Sequence, residues 1–173
     1  MKNAVITLLA VAAMCLSVAG CQKSGKDVFR GNYTFKTSGY LVAVCDSVRE
    51  CGGVAVADTL IAELDTQSGQ MDISDMGGGK LLVSMNRIPG KVSVMYAEVG
   101  GSALSIIPAK ERTEFTLAGG LIPDSADLTV GGTGRKYEGI LLFDLVYEGE
   151  IRCLGHEYKI TESKVICRAK ENE

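Results

Sequence analysis

Apolar and polar residues alternate with a period of two along most of this chain, and Gly or Asp clusters interrupt the alternation about every 8 to 14 residues. Residues 32–45 put Phe35, Thr37, Leu41, Ala43 and Cys45 on one side of a strand, with Gly39 marking a bend. Further strands are expected over 69–76, over 80–88 with Leu81, Val83 and Met85 in phase, and over 90–99 with Val92, Val94 and Tyr96 in phase. Pro89-Gly90 joins the last two as a tight turn. Residues 103–107, 113–117 and 127–130 follow, then 137–148 with Leu141, Phe143, Leu145 and Tyr147 on one face, and a last strand over 158–168. Only the stretch 54–66 is ambiguous, because Leu60, Ile61 and Leu64 also suit a helical face. Nine or ten sequential strands with short links favour antiparallel neighbours, since parallel pairing needs long crossovers. The expected fold is therefore all-β: an antiparallel up-and-down meander closed into a barrel, with a β-sandwich as the alternative. Closure is favoured because it removes sticky edges.

The first 20 residues stand apart. Lys2 precedes an apolar run from Ala4 to Val18, about 15 residues, too short for a span of about 20 and suited to an export signal. The run ends in Leu16-Ser17-Val18-Ala19-Gly20-Cys21, which resembles a bacterial lipobox. That resemblance implies cleavage before Cys21 and acylation of its thiol, a membrane anchor whose hold grows by about 0.8 kcal/mol per buried CH2. The chain thus divides into a signal peptide (1–20), a lipidated amino terminus and flexible leash (21–30) and one β-barrel domain (31–173). Gln22 after the anchor resembles the sorting signal of outer-membrane lipoproteins, which places the protein in the cell envelope with the leaflet left open.

Composition narrows the partners. The net charge is −3, and with Lys2 removed it becomes −4, from 17 basic against 21 acidic residues, so no basic surface for nucleic acid is expected. The mature domain keeps Cys45, Cys51, Cys153 and Cys167, an even number suited to two disulfides in an oxidising compartment. Local pairs, Cys45 with Cys51 and Cys153 with Cys167, are favoured over a cross-pairing. Zinc is the competing reading of Cys153, His156 and Cys167, but only one closely spaced ligand pair exists.

The segments GNYTFKTSG (31–39), VSMN (83–86) with Gly90-Lys91-Val92, VGGTGRKY (130–137) and LLFDLVY (141–147) resemble small Bacteroidetes lipoproteins with a lipocalin-like, or calycin-like, β-barrel. The resemblance covers most of the mature chain and implies a barrel with no catalytic residues to carry over. The four mature cysteines are not part of that pattern.

Reactive constellations are sparse. Gly100-Gly101-Ser102-Ala103-Leu104 lacks the final Gly of a hydrolase elbow and reads as a hairpin turn. Gly77-Gly78-Gly79-Lys80 and the run from Gly131 to Lys136 lack the phosphate-loop frame and read as glycine-rich turns. Asp72 and Asp75 lack calcium-loop spacing, Asp144 reads as an outward strand residue, and His156, the only histidine, as a loop residue. Three triplets beginning at Asp46, Asp58 and Asp124 resemble a D-[S/T]-apolar O-glycosylation signal at Ser47, Thr59 and Ser125. No enzyme activity, metal or cofactor is expected. Two functions remain: a tethered barrel holding an apolar or amphipathic molecule, lined by Phe35, Leu41, Val83, Met85, Val94, Phe143 and Leu145, or a non-catalytic structural or interaction subunit among envelope proteins.

Overall fold

The computed structural model describes residues 25–51, 54–88, 90–117 and 119–172, with the side chains of 46–57 left aside. The signal segment, Cys21, Pro89 and the side chains of Ser47 and Cys51 lie outside the described residues. Among those described, a 3-10 turn at Gly25–Val28 leads into nine strands: β1 (Gly31–Cys51), β2 (Val54–Gly77), β3 (Lys80–Arg87), β4 (Lys91–Gly100), β5 (Ala103–Leu117), β6 (Ile122–Tyr137), β7 (Ile140–Glu148), β8 (Glu150–Cys153) and β9 (His156–Glu171). Their pairings are antiparallel, and sequential neighbours pair from β1 through β7. Strand β9 then pairs with β7, with β8 and with β1, which closes the sheet into a ring. The expected barrel meander is what the chain forms. The ambiguous 54–66 stretch is strand, fused with 69–76 into β2. Ala62 and Leu64 face inward there while Ile61 is exposed, which is a period of two.

Inward residues fill the ring. Tyr33, Phe35, Leu41, Leu81, Leu104, Phe115, Leu128 and Phe143 are all buried, and each large apolar side chain so placed stabilises the fold by about 1.5–3 kcal/mol. Gly39 is required where β1 kinks between its pairings with β9 and β2. A Cβ there would lie 2.1 Å from the Lys164 carbonyl oxygen, which no larger residue tolerates. The run Gly131 to Lys136 is not a turn, contrary to the expectation from its glycines. It lies within β6, where a Cβ at Gly134 would meet the Phe143 ring at 2.6 Å, so the missing side chain makes room for a core aromatic.

Residues 25–30 also depart from expectation: they belong to the folded unit and not to a leash. Phe29 is 1% exposed and plugs the barrel end. The Tyr33 hydroxyl donates to the Phe29 carbonyl at 2.6 Å, and Lys136 Nζ donates to the Val28 carbonyl and the Tyr33 hydroxyl, both at 3.0 Å. Glu171 Oε2 lies 2.7 Å from the same ammonium. Burial opposes the charge on Lys136, but the bonds to Glu171 and Tyr33 outweigh it and hold its pKa above the ordinary lysine value. Burial likewise raises the Tyr33 phenol.

Deep in the ring, burial pushes the Cys167 thiol from 9.0 up to about 11, against the opposing influence of Thr37 and Arg87. A raised folded pKa means the unfolded chain ionises first. Stability is therefore fully present below pH 9 and is lost as pH rises toward 11, by about 1.4 kcal/mol for each tenfold fall in proton activity across that window. Tyr33 and Lys136 act in the same direction at higher pH. Chemical denaturation at pH 8, 9, 10 and 11 should show a falling midpoint, and Cys167→Ala should flatten the part of the fall between pH 9 and 11.

Candidate binding cleft between β4 and β5

The barrel wall opens between β4 and β5, and the cause is Pro108. The β4–β5 ladder runs from Gly100↔Ala103 to Ala97↔Ile106 and stops there. Pro108 has no N–H to donate, so the ladder cannot continue through it. On its other side β5 bulges: Ile107 and Pro108 together oppose Gly131 of β6, whose missing Cβ would sit 3.4 Å from Pro108 Cγ. Beyond the bulge β5 leaves β4 and pairs with β2 at Ala62↔Leu117 and Glu63↔Thr116. The tip of the β3–β4 hairpin leans on β2 instead, with the Ile88 N–H donating to the Ser68 carbonyl at 3.0 Å.

Side chains bridge the gap that backbone bonds leave. Arg87 continues the inward phase of Leu81, Val83 and Met85, and Glu111 that of Thr113, Phe115 and Leu117. They meet at 2.6 Å, Arg87 Nη2 to Glu111 Oε1, with side-chain exposures of 15% and 24%. Ser93, inward on β4, donates to the same Glu111 oxygen. Arg87 Nε is buried with no hydrogen-bond partner among the described residues. Nearer solvent, Lys91 bonds Glu114 and holds its carboxyl below the ordinary glutamate value. Tyr147 faces the same cluster, its phenol pKa raised by burial first and by Glu111 second.

The result is a cleft of about 490 Å3 in the side of the barrel, lined by Arg87, Lys91, Ser93, Lys110, Glu111 and Arg112 together with the apolar Val92, Val94, Met95, Ala109 and Val130. A smaller opening of about 290 Å3, on the β2 side of Lys91, shares Arg87 and ends at Glu114 and Asp65. A volume of this order and a mixed apolar and polar lining are those of small-molecule sites.

No family model and no curated protein matches this chain.

The lining residues expected from sequence are placed differently. Phe35, Leu41, Val83, Met85, Phe143 and Leu145 are 0–5% exposed and belong to the packed core, so they hold the barrel together and do not line a cup. Val94 is 49% exposed. Its strand has the opposite phase to the one expected: Ser93, Met95 and Ala97 point inward, and Val92, Val94 and Tyr96 outward. Of the seven, Val94 alone lines the cleft, from its outer lip. Sequence reasoning misses Arg87, Ser93 and Glu111, although the uninterrupted period from Leu81 to Arg87 and from Glu111 to Leu117 marks two of them.

Neither favoured disulfide fits the strands. Cys45 and Cys51 lie opposite Asp58 and Val54, four residues apart on β2, about 13 Å, and Cys167 lies eleven residues along β9 from His156, the cross-strand partner of Cys153, about 36 Å. A disulfide needs Cα atoms within about 7 Å. For the same reason Cys153, His156 and Cys167 do not converge as metal ligands. Among the acceptor triplets, Thr59 is exposed on β2, whereas Ser125 is half-buried on β6 and receives a bond from Arg112 at 2.7 Å. Asp144 is exposed, as expected, and His156 is exposed at the start of β9.

Two outcomes are expected. In the native protein a thiol reagent should label the half-exposed Cys153 promptly and Cys167 only on unfolding, with or without prior reductant; a Cys153–Cys167 linked peptide would contradict the register. Arg87→Met should lower stability by about 1–3 kcal/mol in urea denaturation, by stranding Glu111, and the double change Arg87→Met with Glu111→Met should recover most of it.

Proposed function

We propose that the chain is an exported, lipid-anchored binding barrel of the cell envelope, non-catalytic, that takes an amphipathic small molecule from the side, through the β4–β5 cleft. The observation that carries this reading is the wall opening itself, in which strand pairing is replaced by a lined cleft next to a solidly packed core. With Cys21 acylated as the lipobox resemblance implies, three residues separate the anchor from Gly25, a reach of at most about 14 Å. The plugged end then rests near the lipid surface. Ser93 lies seven residues, about 23 Å, along β4 from that end, so the cleft opens clear of the headgroups. An outer-membrane location fits Gln22 and the resemblance to Bacteroidetes lipocalin-like lipoproteins.

Ala109 lines the cleft but lies outside the core, so Ala109→Trp should fill the opening and leave the fold intact. Titration with the neutral fluorescent probe N-phenyl-1-naphthylamine should show saturable binding to the wild type and at least a tenfold loss in the variant, at equal melting temperature. Equal binding by the two proteins would overturn the assignment.

A second reading, an interaction subunit of an envelope assembly, draws on the far rim. Ile88, Leu121 and Leu154 are 77, 81 and 91% exposed on turns remote from the plugged end, and Leu154 has a left-handed φ of 50°. That conformation costs a residue with a Cβ about 1 kcal/mol. Crosslinking in intact envelopes separates the two: a reproducible protein adduct from the rim, without probe binding in the cleft, favours the subunit.

A further inference from the structure

The lining of the β4–β5 cleft is strongly unbalanced in charge for a protein whose net charge is −3. Four basic side chains, Arg87, Lys91, Lys110 and Arg112, line it against one acid among the described residues, Glu111. Two further acids pair from beside it, Glu114 with Lys91 and Asp127 with Arg112 at 3.5 Å, and Asp65 ends the adjoining opening, so the surplus of cations lies within the lining of the cleft itself. A low-dielectric wall concentrates that field toward the opening.

The inner end of the cleft already holds one carboxylate. Glu111 Oε1 receives both Arg87 Nη2 and the Ser93 hydroxyl, while Arg87 Nε is left without an acceptor among the described residues. One carboxylate contacting a guanidinium through a single oxygen uses only part of a fork that suits two parallel bonds. A carboxylate arriving from outside, free of the constraint of β5, can accept from both Nε and Nη2. Glu111 can then turn toward the cations at the cleft mouth, so that no charge is stranded. Val92, Val94, Met95, Ala109 and Val130 supply an apolar track beside these groups. The track suits the body of a molecule whose head is anionic.

We infer that the cleft takes a carboxylate-bearing amphiphile, and that its carboxylate exchanges with that of Glu111 on Arg87 and Ser93. This rests on the binding role proposed for the cleft and adds the class of ligand and the residue that competes with it. Glu111 then acts as a resident stand-in that keeps Arg87 paired when the cleft is empty.

The test is displacement of N-phenyl-1-naphthylamine by decanoate, decanol and decylammonium, each below its micellar range, from the wild type, Glu111→Gln, Arg87→Met and Arg87→Lys. Decanoate should displace the probe at a concentration at least tenfold below decanol, with decylammonium weakest, and 0.5 M NaCl should narrow the gap. Glu111→Gln, which removes the competing charge but keeps an acceptor for Ser93, should widen the preference for decanoate over decanol a further fivefold or more. Arg87→Met should abolish the preference. Arg87→Lys, which keeps the charge without the fork, should retain a reduced preference, and it serves if the Met variant does not fold. If decanol and decanoate displace the probe equally and Glu111→Gln changes neither, the carboxylate inference is wrong although the cleft still binds. If the probe fails to bind at all, or binds Ala109→Trp as well as the wild type, the fault lies with the binding role itself.

Discussion

Pairing of β1 with β9 is the constraint on which the rest of the structure depends. The ladder runs from Tyr33↔Glu171 to Cys45↔Tyr158 and joins the first strand to the last. Without it the meander is an open sheet with two long edges and an apolar face exposed to water. With it, every inward residue meets others across a closed lumen, and the core forms as one cluster. The same closure fixes where the amino-terminal turn can dock. Tyr33 begins the ladder and also accepts from Lys136 while donating to Phe29, so ring and plug share one residue.

A closed ring makes an interruption in its wall significant. Pro108 removes a donor where β4 and β5 would continue to pair, and the chain answers with ion pairs in place of backbone bonds. These contacts are weaker per residue and more dependent on salt than a ladder, which makes this the part of the wall most easily rearranged. In the binding role proposed for the cleft, that property would let a ligand enter between the strands. Edge residues Lys91, Lys110 and Arg112, together with Pro108, also guard the unpaired strands against chance pairing with another chain.

Much of the architecture is legible in the sequence because strand phase is a simple consequence of backbone pleat. The run from Leu81 to Met85 and the run from Leu141 to Tyr147 put apolar side chains inward as their alternation requires. On β4 the same reasoning inverts the faces. Val92, Val94 and Tyr96 are the more apolar set, yet Ser93 is the one turned inward, because the lumen at that level is polar and Glu111 accepts its proton. Alternation alone ranks faces by hydrophobicity and cannot register a polar interior. The cysteines mislead for a different reason. Proximity in a sheet is set by register across strands, so residues a few positions apart on one strand are held apart, and Cys45 lies opposite Tyr158 instead. Arg87 and Glu111 are visible in phase, but their meeting across the bulge at Pro108 depends on the course of β5, which no local pattern encodes.

The two ends of the described chain lie on neighbouring strands, with the Asn172 N–H donating to the Asn32 carbonyl at 2.8 Å and its side chain meeting Thr34 at 2.9 Å. Nothing in the ring therefore privileges the present order of strands. A circular permutant that links these ends by a few residues and is cut open at the Leu154-Gly155 hairpin would keep every ladder but the short one it severs. With the anchor proposed at Cys21 moved to the new amino terminus, such a rearranged polypeptide would hang by the opposite rim, turning the barrel upside down while leaving the lateral opening untouched.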